Sequence, residues 1–381
     1  MDLTWSIGIL VGFYLIIKNR NNLKNSPHFK DAISHPGVWL SLLFWFVTIV
    51  SRLANQKQLD WSLLLENRWG LEICLFALVL MNIKNWAPTL KQIAIGTSIL
   101  QIFGFLWFYF FRDAPMPLTE RFGGLHGNPM FWGQISGFVA VFSLANCFLA
   151  STQSLRLLFT LSFLINFISL VMTGTRGAWL ATFISIPIIF FFTHRKYFFQ
   201  LLAGFGLTVL LVILFVPPVN ERVLFTLKGL QGTQQTYDSE RVALWKANWE
   251  MFKDHPILGV GFGANKENLR SYYDKLGYPK SQFESHAHNQ YLQILAGTGL
   301  VGFFFYFSTF IYFILASLKL IKSHLDIYKQ VGVIGISTIS YFMIASLTEA
   351  NFNISKTRYS ILLIFTLVLA FSIRHKKEAT Q

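Results

Sequence analysis

Leu157–Thr193 reads LLFTLSFLINFISLVMTGTRGAWLATFISIPIIFFFT, and Arg176 is the single charged residue in it. Two apolar runs, Leu157–Met172 and Gly177–Thr193, flank a turn of a few residues. In hydrocarbon only helices and closed barrels satisfy their own backbone groups. Barrel strands alternate apolar and polar residues, and these runs are continuous. The stretch therefore predicts two membrane-spanning helices joined by a tight turn that holds an arginine.

The same texture extends in both directions. Further apolar runs are Leu3–Ile17, Gly37–Ser51, Trp69–Ile83, Leu90–Phe111, Met130–Ala150, Tyr197–Val216, Asn289–Leu318, Val331–Leu347 and Tyr359–Ile373. A span needs about 20 residues. Leu3–Ile17, Gly37–Ser51 and Trp69–Ile83 fall short and must borrow polar flanks or be partly re-entrant. The fold class is thus all-α, a polytopic bundle of about 11–12 spans. Composition agrees: of 381 residues 53% are hydrophobic and only 13% charged, against about 25% charged in soluble domains. A soluble protein of this make-up would expose large apolar patches.

The net charge of +14 does not signal nucleic acid, because the basic residues sit in short runs between spans rather than on one surface. With the C-terminus cytoplasmic, cytoplasmic connections hold fifteen Lys and Arg and the short opposite ones eight. That bias sets the orientation and puts the N-terminus outside if eleven spans are counted. Membrane lipids are the expected surroundings of these basic loops. Cys74 and Cys147 lie in apolar runs and suggest no metal or redox motif. The first run follows Asp2, not a basic segment, and reads as a retained helix.

One connection is long and of mixed charge, from Pro217 to about Ser285, with nine Lys and Arg and eight Asp and Glu. Long loops translocate largely regardless of charge. Asp238-Ser239 offers a helix start, and Arg241, Leu244, Trp245, Trp249 and Phe252 give helical periodicity up to Pro256. The organisation is therefore 1–216 with spans one to eight, 217–288 as a large outer loop containing helices, and 289–381 with the last spans.

Chemistry-bearing residues gather around that loop. Arg176 at headgroup depth has the planar fork that suits a phosphate at the same depth; the plain alternative is a snorkelling helix anchor. Arg241 reads as a second phosphate ligand, with Trp245 offering a ring face to sugar, or else as a solvated arginine paired with Glu240 or Asp238. His286-Ala287-His288-Asn289 marks a loop-to-helix boundary where a histidine can act as general base toward a hydroxyl, or simply bond backbone at the helix entry. His286 and His288 with His255 as a third zinc ligand lack a carboxylate or cysteine at a familiar spacing, so no metal is expected. Gly259-Val-Gly-Phe-Gly263 lacks the context of a dinucleotide fingerprint and reads as a turn with exposed amides. Gly297, Gly299 and Gly302 suggest close helix packing. Arg121 and His126, in a loop entering a span, are further substrate contacts or ordinary turn residues.

Taken in order, these residues resemble the O-antigen ligase and polymerase superfamily of bacterial inner-membrane glycosyltransferases. The resemblance is carried by Thr173-Gly-Thr-Arg176-Gly-Ala, by Arg241-Val-Ala-Leu-Trp245, by His255-Pro-Ile-Leu-Gly-Val-Gly-Phe-Gly263, and by His288-Asn289 followed at ligase-type spacing by Gly299 and Gly302. It covers about Arg121 to Gly302. It implies cofactor-free, metal-independent transfer of a glycan from undecaprenyl diphosphate to a lipid A–core sugar on the periplasmic face. Arg176 and Arg241 map onto the family's diphosphate ligands and His288 onto its catalytic histidine. Beside it, His286 and Asn289 are expected as further substrate contacts on their position alone, as is Trp245. It also implies twelve spans with both ends cytoplasmic. A polymerase using the same donor would keep these residues; the complete His-Asn signature favours a ligase. A transporter or flippase would place ionisable residues in mid-span, whereas Arg176, Arg241 and His288 lie at or beyond span ends.

Overall fold

In the computed structural model the chain is an all-α, polytopic bundle. The structure describes residues 27–55, 57, 69–81, 87–111, 121–217, 219–221, 223–224, 237–279, 284–352 and 355–378, and no strand occurs among them. The expected first span, Leu3–Ile17, lies outside the described residues. Helices α1 (Pro27–Ile33), α2 (Pro36–Ala54), α3 (Trp69–Met81) and α4 (Ala87–Leu106) open the described chain. A π-turn at Trp107–Phe111 ends α4. Next come α5 (Pro129–Leu149), α6 (Gln153–Thr173), α7 (Arg176–Thr193) and α8 (Phe198–Phe215). The long connection carries α9 (Tyr237–Asp254) and α10 (Asn265–Lys275), and the chain returns through α11 (Gln290–Ile321), α12 (Asp326–Ala345) and α13 (Ser355–Glu378).

Nine of the described helices are long and apolar enough to cross a membrane. The short run at Gly37–Ser51 is rescued by its flanks: α2 starts at Pro36, where proline loses no helical hydrogen bond, and has 19 residues. The described part of α3 has only 13 residues, too few to span by itself.

The bundle has a packed centre and a loose rim. Of the α5 and α13 spans 72% lies buried inside the protein, and of the α8 span none. Small and polar residues make the centre tight, as expected where lipid offers no hydrophobic drive between helices. A Cβ on Gly137 would meet the Tyr341 hydroxyl, which donates to Gln134 O at 2.9 Å and fixes α12 on α5. Between α4, α5 and α6 a buried seam links Ser136, Ser169 and Gln101, with Ser169 donating to Gln101 Oε1 at 2.7 Å and Gln101 Nε2 donating to Ser136 Oγ at 3.0 Å. These bonds set the register of α6, whose far end makes the arginine turn.

All connections that matter for chemistry meet at one end of the bundle, the loop face. There α9 and α10 pack on each other through Leu244, Met251, Leu269 and Tyr273, and onto α11 through Ala296.

Candidate active site

The platform of the site is a broken helix. At Gly299, α11 leaves helical geometry with φ 64 and ψ −164. The backbone groups freed there are met by the segment following α9: Leu300 N donates to Pro256 O at 2.8 Å, and Val260 N to Ala296 O at 2.8 Å. A Cβ on Gly299 would stand 2.3 Å from the Ile257 carbonyl, and one on Gly259 2.4 Å from the Gly297 carbonyl carbon. Only glycine permits two backbones to come this close. The end of α2 clamps the junction, with Ser51 Oγ reaching Leu258 O at 2.6 Å and Gly297 O at 2.8 Å, and Arg52 Nη1 donating to Phe262 O at 2.7 Å. The Gly259–Gly263 turn therefore splints a broken helix, and the glycines of α11 serve it.

Immediately before α11, residues 286–289 are held from several sides. Asn289 caps the helix, its Oδ1 accepting from Tyr291 N at 3.0 Å and Leu292 N at 3.1 Å. Gln293 Oε1 accepts from Ala287 N at 2.9 Å, and the Trp245 indole of α9 donates to Ala287 O at 2.9 Å. Gln290 N donates to Ser346 O at 2.8 Å, and Gln290 Oε1 accepts from Phe352 N at 2.9 Å, which ties the segment to the α12–α13 connection. Between these fixed points His288 has φ 45, the one non-glycine residue with positive φ among the described residues. Such a conformation costs on the order of 1–3 kcal/mol and persists only where the surroundings over-determine it.

The strain aims the His288 ring at Glu349. His288 Nδ1 lies 3.0 Å from Glu349 Oε2, and His286 Nε2 lies 2.6 Å from Glu349 Oε1. Glu349 is 1% exposed. Burial alone would raise its carboxyl; the hydrogen bonds from His286 and His288, and the charge those rings carry when protonated, outweigh burial and hold it at about 2. A carboxylate only accepts, so each imidazole donates to it. That fixes the tautomers: neutral His288 carries its proton on Nδ1 and keeps the lone pair on Nε2 free for chemistry. His286 Nδ1 in turn lies 3.2 Å from Ser285 Oγ.

The arginine turn abuts this cluster. Gly174 ends α6 at φ 61, a conformation that suits glycine, and Thr175 Oγ1 donates to Pro129 O at 2.9 Å instead of capping α7. Arg176 opens α7, half-buried, so an arginine stands at the positive end of the α7 dipole. A Cβ on Gly177 would fall 1.8 Å from Thr348 Oγ1. The residue after Arg176 thus touches the residue before Glu349.

Arg121 joins the same turn, with Nε donating to Thr173 O at 2.9 Å and Nη2 to Thr175 Oγ1 at 3.3 Å. It braces the turn that carries Arg176. Arg241 sits half-buried one helical turn before Trp245 on the same side of α9. Asn289 caps α11 through its Oδ1, and Trp245 holds the segment through its indole N–H. His286 is a neighbour of His288, the ring centroids 4.1 Å apart. His126 lies in a short 3-10 turn, and its side chain is outside the described residues.

Sequence reasoning missed Glu349. It is a lone acid just after the Val331–Leu347 run, in a short connection that otherwise resembles span-end filler. An acid at a span end opposite a histidine pair was the signal available. The third donor beside His286 and His288 is accordingly Glu349 and not His255, which is exposed. Donor atoms of the three lie within 4.8 Å of one another, and their types suit a zinc ion as well as they suit a hydrogen-bonded base.

Residues 161–307 match a protein family described as O-antigen ligase. The match runs from α6 to beyond the break in α11, and so includes Arg176, Arg241, His286 and His288 but stops short of Glu349. No curated protein matches the chain.

Proposed function

We propose that this chain, whose residues 161–307 match the O-antigen ligase family, transfers a glycan from undecaprenyl diphosphate to a lipid A–core sugar hydroxyl. The observation that carries this reading is the His288–Glu349 pair beside the Arg176 turn. A carboxylate with a depressed pKa orients an imidazole through its Nδ1 and leaves Nε2 unbonded to it, close to the turn that puts an arginine at a helix N-terminus.

Each part has a chemical task. A lipid diphosphate is already a good leaving group, so its departure needs charge neutralisation more than acid catalysis. Arg176 and Arg241 supply fixed positive charge for the diphosphate without needing a metal. His288 Nε2 takes the proton from the acceptor hydroxyl as its oxygen attacks the anomeric carbon. Glu349 stabilises the resulting imidazolium and keeps the ring from turning, the role an acid plays in other histidine-based sites. A single displacement from the face opposite the diphosphate inverts that carbon. The excess of Lys and Arg at the other end of the bundle favours a periplasmic site in a bacterial inner membrane.

Reconstitution of the purified protein with lipid-linked glycan and lipid A–core tests the reading. Product on lipid A, unchanged by a chelator, is the expected result. Lengthened lipid-linked chains with no lipid A product would move the assignment to a polymerase. Loss of activity on chelation and recovery with zinc would assign His286, His288 and Glu349 to a metal instead.

A further inference from the structure

On the flank of the bundle, between α6, α7 and α8, a partly open crevice leaves a cavity volume of about 50 Å³. Its walls include Phe167 and Val171 of α6, Trp179 and Phe183 of α7, and Phe205 and Val212 of α8. Polar groups on the walls are satisfied inside the protein. Thr208 donates to Gly204 O at 2.9 Å within α8, and the Trp179 indole donates to Leu170 O at 3.0 Å. The surface offered is hydrocarbon.

Its place is specific. Trp179 and Phe183 follow Arg176 at three and seven residues, so they continue one stripe of α7 down from the guanidinium. From Phe205 to Val212 the far wall runs about 10 Å along α8. That helix has no buried residue and stands loosely against the bundle, and Gly204 and Gly206 have open space beside them. It presents two faces. Phe205, Thr208 and Val212 line the crevice, while Leu207, Leu210 and Leu214 are exposed on the other side.

We propose that this crevice seats the first part of the donor's polyprenyl chain, with the diphosphate held at its mouth by Arg176. The inference rests on the donor reading given above and names where its lipid lies. A polyprenyl diphosphate passes directly from phosphate to branched hydrocarbon. A phospholipid places ester carbonyls between the two and brings two chains. One turn below Arg176 the wall is already Trp179, whose only donor is engaged, so it suits the prenyl chain and gives ester groups nothing to bond.

Two glycan donors that differ only in tail test this, one on a full polyprenyl chain and one on a short prenyl chain. Val212→Trp fills the crevice. It should raise KM for the long-tailed donor about tenfold, the effect of losing burial of roughly two methylene groups, and leave KM for the short-tailed donor unchanged. Leu210→Trp, on the opposite face of α8, should alter neither. In the unmodified protein, a long-tailed donor carrying a photoreactive group should label Phe205, Thr208 and Val212 in preference to Leu207 and Leu210. Equal labelling of both faces means ordinary lipid contact and overturns the proposal, as does a Val212→Trp effect on both donors alike or on neither. Arg176→Ala separates the levels: if it leaves KM for both donors unchanged, the diphosphate reading itself fails and the tail site with it.

Discussion

Two loop-to-helix transitions build the candidate site, and they are constructed in opposite ways. The turn at Thr173–Gly177 is settled nearly on the spot: Gly174 supplies the left-handed residue, Thr173 Oγ1 bonds Leu170 O, and Arg121 and Pro129 close it from an adjacent loop. The segment at His286–Asn289 is settled from afar. Its backbone is pinned by Trp245, Gln293 and Ser346, and its imidazoles by Glu349, which lies 61 residues from His288. The first transition can hold a fixed charge with little strain. The second holds a ring in one tautomer and one strained backbone state, which a proton-transfer group needs and a point charge does not.

The sharpest break in that comparison is at His288. His288→Asn keeps a residue that tolerates positive φ and removes the base, so stability should be nearly unchanged while kcat falls by about 10²–10⁴-fold. Thermal unfolding in detergent alongside single-turnover transfer reads both quantities. An equal fall in Tm would mean that His288 is structural. His286→Ala, which leaves the His288–Glu349 bond in place, should cost far less.

Glu349→Gln comes next, with an expected loss of about 10²-fold or more in kcat, since a mis-oriented histidine tautomer is severe in related chemistry. The two rings bond different oxygens of Glu349, so a glutamine presents its amide NH2 to one of them, and that ring must turn or lose its bond. The stability consequence has a defined sign. The folded-state carboxyl lies at about 2, below the ordinary glutamate value of 4.5, so ionised Glu349 contributes stability that is fully present above 4.5 and lost as pH falls toward about 2. The Tm difference between the unmodified protein and Glu349→Gln should therefore narrow over that window. A difference that is constant with pH would show that the carboxylate is not favoured by its surroundings.

This contrast also explains what was legible beforehand. The helical membrane fold was readable because each span writes its own apolar run, and the described helices α2 to α8 and α11 to α13 follow those runs to within a few residues. Arg176 was readable because its turn is local: Thr-Gly-Thr-Arg between two spans carries the whole geometry. Glu349 was not, because its meaning depends on α12 ending beside α11, a contact made by Ser346 O on Gln290 N that no local pattern announces. The break at Gly299 was half readable. The glycines stood out, but what fills the gap, the Pro256–Val260 backbone, comes from a different part of the chain.

The smallest expected effect is the one that best separates scaffold from chemistry. Asn289 stands next to His288, and adjacency alone would make it a substrate contact; its bonds to Tyr291 N and Leu292 N make it a helix cap. A cap of this kind is worth about 1 kcal/mol. Asn289→Ala should lower Tm, loosen the start of α11 and reduce kcat by less than about tenfold with KM for both substrates unchanged. Asn289→Asp, which caps as well and adds a negative charge at the favourable end of the helix, should restore Tm. If alanine instead raises KM while Tm holds, the side chain reaches substrate through its amide nitrogen. One residue of the segment would then both support its neighbour and touch the ligand, two tasks that the proposed function divides between Arg121 and Arg176 in the opposite turn.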